Sequence, residues 1–446
     1  MTHLMRRFLR AEYPVAVGGE GPYVIAADGR RYLDGSSGAG VSSLGYSQTR
    51  IIDAICDQAR RLAFCYNANF TTEPAERLAD ELARLAPGNL NWVFPGSGGS
   101  ESMDGAMKLA RQYHLDAGQP GRTRFITRRQ SYHGCTVGAL GVGVNPIRRT
   151  PFEPLLRDPI EVSPCYEYRD RLDGESPEEF GARLVLEIDE AIERAGPGTV
   201  AALIAEPIVA ATSGAVGPVP GYFQGIRRVC DKHGVLLILD EIFTGVWRTG
   251  TFLACEQEGV VPDIAVIAKS LAAGYQPISA LLVGDRVFET LADRRGYFMH
   301  GHTYGSHATA CAAALATLQV IQDEGLDRNV RERGAEIMAG LRGRFRDHPH
   351  VGDIRGRGMM FGLELVADRA TKAPFASERL AWMNVARAAL EQGLLCYPMG
   401  GTIDGVVGDH VLLAPPYIYG SSHVEEMLDK LTTAIDVGLS RPGPSL

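Results

Sequence analysis

Six short apolar runs constrain the chain most strongly: WVF, TRFIT, VAALIAEP, VLLILDEI, DIAVIAK and ISALLVG, all between residues 92 and 284. They lack the polar alternation of a half-exposed strand and are separated by stretches with helical periodicity. The pattern predicts strands buried on both faces between helices, an α/β fold whose sheet is mostly parallel. This large domain is expected over residues 71–325. Upstream, YVIAADGRRYLD reads as a hairpin with Asp28 and Gly29 supplying the two positive-φ positions of a tight turn. Residues 1–70 are therefore expected to form an N-terminal segment that is partly a small domain. Residues 326–446, with GDIRGRGMMFGLELV, VLLAPPYIY and helical stretches near 377–392 and 423–439, are expected to form a small α+β unit. A further helix is expected near 308–323. The polar stretch YEYRDRLDGESPEEFGA, residues 166–182, reads as a surface excursion before a helix at LVLEIDEAIERA.

Charge and composition exclude several function classes. A formal charge of −8 with mixed signs gives no general nucleic-acid surface, and Arg128-Arg129 is too small a cluster to reverse that. No stretch approaches the ~20 apolar residues needed to span a bilayer, and MTHLMRRFLR lacks the apolar centre of a secretory signal. A cytoplasmic location is the expectation. The eight cysteines are scattered without zinc-ligand spacing, so reduced thiols and no metal site are expected.

Three motifs carry chemistry. In WVFPGSGGSESMDGAMKLARQY a strand runs into Gly96, Ser97, Gly98, Gly99 and Ser100 before a helix, which makes an anion cup of backbone N–H groups, a hydroxyl and a helix dipole. A plain glycine turn with a serine N-cap is the competing reading. In VLLILDEI a buried strand ends in Asp240, at the edge of an open sheet where ligands bind. An acid there needs a cation, such as a protonated pyridine nitrogen; helix capping or pairing with Arg248 are the alternatives. In PDIAVIAKSLAAG, Lys269 ends another apolar run. Apolar surroundings lower an amine's pKa and suit Schiff-base chemistry, although a strand-end lysine can equally be a surface charge. Anion cup, acid and lysine occur in the order one cofactor would need.

With SGGSES, SYHG, AEP, LDEIFTGVWRTG, AKSLAAGYQPISA and HTYGSHATACAAALA, the chain resembles class III (omega) aminotransferases over nearly its whole length. These are pyridoxal-5′-phosphate (PLP) enzymes of fold type I, aspartate-aminotransferase-like, with a large domain and a small α+β domain built from both termini. The resemblance implies that Lys269 carries PLP as a Schiff base and shuttles the proton between substrate Cα and cofactor C4′. It also implies that Asp240 keeps the ring nitrogen protonated, so that the ring acts as an electron sink. Gly99 and Ser100 match the phosphate cup, with Gly98 adjoining, Tyr132 the residue that stacks on the ring, and His133 a histidine that supports the pocket. Glu206 matches a position that hydrogen-bonds near the cofactor hydroxyl. Thr303 matches a threonine that reaches the phosphate of the neighbouring subunit's cofactor, which implies a homodimer with shared active sites.

The implied reaction is a ping-pong transfer from an amine or amino-acid donor to an oxo-acid, aldehyde or ketone. A racemase or epimerase, or a decarboxylating enzyme, would use the same cofactor residues. A silent binding protein of this fold would be expected to lack Lys269 or Asp240, and both are present. Phe64, Tyr66, Trp247 and Tyr417 are candidate pocket walls. Gly305, Ser306 and Ala308 depart from the residues more usual in relatives, and Trp247 stands where a small residue is typical. Many relatives carry a carboxylate-gripping arginine just before a GDH-type segment. Here GGTIDGVVGDH has none, with Val406 and Val407 in those places. Valine cannot replace a bidentate arginine. Either another arginine grips a carboxylate or the substrate has none near the reacting carbon. Arg128, Arg129, Arg148 and Arg149 cannot be ranked from sequence, and Arg355 and Arg357 read as structural ion-pair partners.

Overall fold

The computed structural model describes residues 3–9 and 11–443. Near the N-terminus, strands β1 (Ala16–Glu20), β2 (Tyr23–Ala26) and β3 (Arg31–Asp34) form a meander. The turn between β2 and β3 takes a positive φ at Gly29, 83°, but not at Asp28. Asp28 instead accepts the Arg30 N–H through Oδ1, so the expected pair of positive-φ residues is corrected to one.

The central sheet follows, with β4 (Trp92–Gly96), β5 (Arg124–Arg128), β6 (Ile160–Val162), β7 (Val200–Ala205), β8 (Leu236–Asp240), β9 (Ile264–Ile267) and β10 (Ser279–Val283). Their spatial order is β4-β10-β9-β8-β7-β5-β6. The pairings from β9 across to β6 are parallel, and β10 is antiparallel to both its neighbours. Successive side chains of a strand face opposite ways, and here both faces are covered. Ile204, Leu236, Ile238, Ile264 and Val266 pack with Met103, Ala106 and Ala110 of helix Gly99–Asp116. Their alternates Leu203, Leu237, Leu239, Ala265 and Ile267 pack on the other side with Phe180, Leu184, Phe223 and Ile226, from helices Pro177–Ala195 and Tyr222–His233. Burial on both faces is why these runs read as unbroken apolar sequence.

Helix Pro177–Ala195 starts inside the stretch expected to be a surface excursion. Ser176 Oγ accepts the Glu179 N–H at 3.1 Å and Glu179 Oε2 accepts the Ser176 N–H at 2.8 Å, a reciprocal cap in the polar sequence SPEE. The stretch also begins on a buried residue, Tyr166, whose hydroxyl donates to Glu364.

In the C-terminal part, β11 (Val351–Arg357) and β12 (Met360–Leu365) form a hairpin. Strand β13 (Leu394–Leu395) pairs in parallel with β3, which ties the two ends of the chain together. Strands β14 (Tyr397–Gly400) and β15 (Asp409–Leu413) complete a sheet of order β11-β12-β15-β14. Arg355 bonds Asp353 and Glu364, each at 2.8 Å, and Arg357 bonds Glu258 at 2.7 Å, so both are structural ion-pair partners. No helix among the described residues is long and apolar enough to cross a membrane.

Candidate active site

The parallel strands all end on one edge of the central sheet, and the chemistry-bearing residues gather there. β4 leads through Gly98, which is extended at φ −157° and ψ 154°, into helix Gly99–Asp116. Gly98, not a serine, is therefore the N-cap. The first N–H groups of a helix have no intrahelical partner and lie at the positive end of its dipole. Ser100 Oγ accepts the Cys135 N–H at 3.0 Å and lies 3.6 Å from Cys135 Sγ, which holds the hydroxyl at the mouth of the cup. Behind it, Ser279 Oγ donates to Gly98 O at 3.1 Å and meets Ser102 Oγ at 2.7 Å, fixing the turn.

Asp240, at the end of β8, is buried. Its Oδ1 accepts the Ile242 N–H at 3.1 Å and its Oδ2 lies 2.8 Å from His133 Nδ1. His133 Nε2 is 3.4 Å from Thr127 Oγ1, which is 3.1 Å from Ser131 Oγ, itself an acceptor for the Val144 N–H. The run is consistent when Ser131 donates to Thr127, Thr127 donates to Nε2, and Nδ1–H donates to Asp240. It then fixes the orientation of the imidazole against the acid. Asp240 and Arg248 do not pair: Arg248 donates to Met359 O and Pro415 O.

Lys269 follows β9 in a left-handed backbone conformation, φ 47°. Such a conformation costs a non-glycine residue about 1–3 kcal/mol and persists where the surroundings impose it. Its Nζ lies 4.1 Å from the centroid of the Phe243 ring. Withdrawal from water lowers the amine to about 8, against an opposing pull from Asp240 and Glu206. Glu206 accepts the Tyr132 N–H at 3.1 Å and the Ala210 N–H at 3.2 Å, and burial pushes its carboxyl above the usual range. Gly98, Gly99, Ser100, Tyr132, His133, Glu206, Asp240 and Lys269 all line one cavity of about 570 Å³.

Residues 10–435 match the family described as Aminotransferase class-III. The chain is a class III aminotransferase. It is 41% identical over 423 residues to an aminotransferase of Schizosaccharomyces pombe, covering 95% of this chain and 92% of that one. An (S)-enantioselective omega-transaminase from Thermomicrobium roseum superimposes with a TM-score of 0.91 at 37% identity, over 97% of this chain and 94% of that one. The omega transaminase of Pseudomonas jessenii in complex with PMP gives a TM-score of 0.91 at 34% identity, over 96% and 93%.

This class III aminotransferase therefore catalyses PLP-dependent transamination. The residues present fit that cofactor. The helix start offers N–H groups and a hydroxyl to a phosphate, the buried Asp240 offers a carboxylate to a ring cation, and Lys269 offers an amine of lowered pKa.

Other expected site residues lie elsewhere in the aminotransferase. Trp247 and Tyr417 do not line the cavity and are corrected to core residues. Trp247 packs edge-on to Phe252 with centroids 5.1 Å apart. The Tyr417 hydroxyl donates to Val246 O at 2.7 Å and lies 3.2 Å from Ser270 Oγ, bracing the turn behind Lys269. Phe64, Tyr66 and Thr303 are exposed and also lie off this cavity, with Phe64 edge-on to Tyr304. Sequence reasoning missed Phe243 and Tyr397, which do line it, and of the four arginines it left unranked only Arg148 does. Phe243, in the quoted run LDEIF, could have been found by its distance from Asp240 along the chain. Tyr397 is brought in by β14 and carries no local signal.

Proposed function

We propose that Lys269 and Asp240 are the catalytic residues of this transaminase, with the cup at Gly98, Gly99 and Ser100 holding the cofactor phosphate. The supporting observation is convergence: lysine, acid and cup come from three separate strand ends and open into the same cavity. When bound, PLP supplies the electron sink for the carbanion. Lys269 Nζ, its pKa lowered to about 8 by withdrawal from water, would carry the proton from substrate Cα to the cofactor's C4′. Asp240, oriented by His133 Nδ1 and the Ile242 N–H, would offer its carboxylate to a proton on the ring nitrogen. Glu206 fixes the backbone of Tyr132, whose ring is offered as the stacking face. Phe243, Ile242, Val41 and Ile278 give the cavity an apolar wall suited to an alkyl or aryl amine substituent. The donor in this reading is an amine or amino acid, and the acceptor an oxo-acid, aldehyde or ketone.

Incubating the holoenzyme with an amine donor alone tests the reaction. Stoichiometric conversion of the bound aldehyde cofactor to its amine form, seen by absorbance, is the expected result. Loss of donor chirality with solvent-deuterium exchange but no conversion would instead mark a racemase.

The cup makes its own prediction. Gly134 has φ 141°, and a Cβ there would lie 2.7 Å from Ser100 Oγ and 2.9 Å from Ser100 Cα. Gly134→Ala therefore displaces the serine and is expected to raise the Kd for PLP about 5- to 10-fold, the worth of one hydrogen bond to an anion. Absorbance titration of the apoprotein checks it, and an unaltered Kd would remove Ser100 from the cup. The amine makes another. Only unprotonated Nζ captures PLP, so the rate of covalent loading should rise with pH and reach half its maximum near pH 8. An ordinary lysine would place that midpoint at about 10.4.

The homodimer belongs to the same reading. Thr303 is exposed and lies off its own cavity, beside a surface bearing Phe64, Tyr66, Phe70 and Tyr304, all exposed aromatics that a second copy would cover. A cytoplasmic setting is part of this reading too, since all eight cysteines are free thiols.

A further inference from the structure

We propose that Arg148 is the residue that grips the substrate carboxylate, an inference that rests on this cavity being the transamination site. Two arginines line the cavity among the described residues, Arg7 and Arg148. The Arg148 guanidinium lies 4.4 Å from the centroid of the Tyr132 ring. Arg148 is half-buried, yet its side chain makes no hydrogen bond or ion pair among the described residues. A guanidinium stacked on an aromatic face keeps its N–H edge free, and that edge matches a carboxylate bidentately. The carboxylates lining the cavity are Glu206 and Asp240, and both are bound to other donors.

The neighbouring arginines are already committed. Arg128 donates to Glu206 O. Arg129 reaches Ser163 Oγ at 2.9 Å, and Arg149 donates to the carbonyls of Leu140, Gly141 and Gly143 and to Asp158. Arg7 sits in the exposed N-terminal stretch without such a stacking partner.

Arg148 also stands on a fixed base. Its turn, Pro146–Arg149, packs so closely on the 401–408 loop that a Cβ at Gly405 would lie 2.4 Å from Pro146 Cδ. Asn145 Nδ2 donates to Gln130 Oε1, and Gln130 Nε2 to Gly401 O, each at 2.8 Å. The guanidinium thus enters from beside the loop in which Val406 and Val407 leave no cation. The charge is close enough to Lys269 to help depress its amine. A cofactor phosphate is met by the helix start and Ser100, so Arg148 serves a second anion.

The test compares wild-type holoenzyme with Arg148→Ala and Arg148→Gln, using pyruvate against acetaldehyde and succinic semialdehyde against butanal as acceptors. In at least one pair the ratio of kcat/KM, carboxylate-bearing over plain aldehyde, should fall about 10- to 100-fold, chiefly through KM. The Kd for PLP, from absorbance titration, reports the alternative of a phosphate contact. Equal losses on both members of each pair, an unaltered ratio, a weakened PLP Kd as the main effect, or a selective loss in Arg7→Ala instead would each overturn the proposal. Wild-type enzyme that fails to convert its cofactor with any donor would sink the transaminase site, and this inference with it. Normal conversion with an unaltered ratio sinks the inference alone.

Discussion

Lys269→Ala is expected to lower turnover by about 10,000-fold or more, because the variant loses both its covalent nucleophile and its proton carrier. The fold should survive. Lys269 occupies a strained backbone position, φ 47°, and its amine approaches the Phe243 ring without anchoring neighbouring elements. PLP should still bind non-covalently through the helix start and Ser100, with an absorbance maximum like that of free PLP. A variant that retains near-normal kcat would remove Lys269 from the chemistry.

Asp240→Asn is expected to cost about 100- to 1,000-fold in kcat, a loss like that from removing one preorganised electrostatic contact. Asparagine fits the space, and the surrounding chain can adapt. An amide oxygen can still accept the Ile242 N–H, while its NH2 faces His133 Nδ1. His133 then carries its proton on Nε2 and donates to Thr127 Oγ1, which donates to Ser131 Oγ. Polar satisfaction is kept while the negative charge is lost, so Tm should change little while kcat falls. Asp240 raises the Lys269 amine, so its removal should also move the midpoint for covalent PLP capture below pH 8. A kcat within a few-fold of wild type would mean that the ring nitrogen has another partner.

The central sheet was legible because strands buried on both faces appear as unbroken apolar runs, as with Leu236–Asp240. The edge strand Ile160–Val162 was not, being three residues long and covered less evenly. The start of helix Pro177–Ala195 was hidden because its signal is a polar cap, not an apolar stripe. In the site, Asp240 and Lys269 could be read because each directly ends an apolar run. Trp247 and Tyr417 were misread because a large aromatic has the same sequence signature whether it packs in the core or faces a ligand. Arg148 could not be separated from Arg128, Arg129 and Arg149, since only the folded chain shows which of the four are already committed. Tyr397 depends on the C-terminal sheet being folded against the large one.

The identity of the lysine that holds PLP decides the assignment of the site. Reducing the holoenzyme with borohydride, digesting it and mapping the modified peptide by mass spectrometry measures this. One phosphopyridoxyl group per chain is expected, on the Lys269 of AKSLAAG. Stoichiometric label on another lysine, such as Lys108 or Lys232, with Lys269 unmodified, would contradict it.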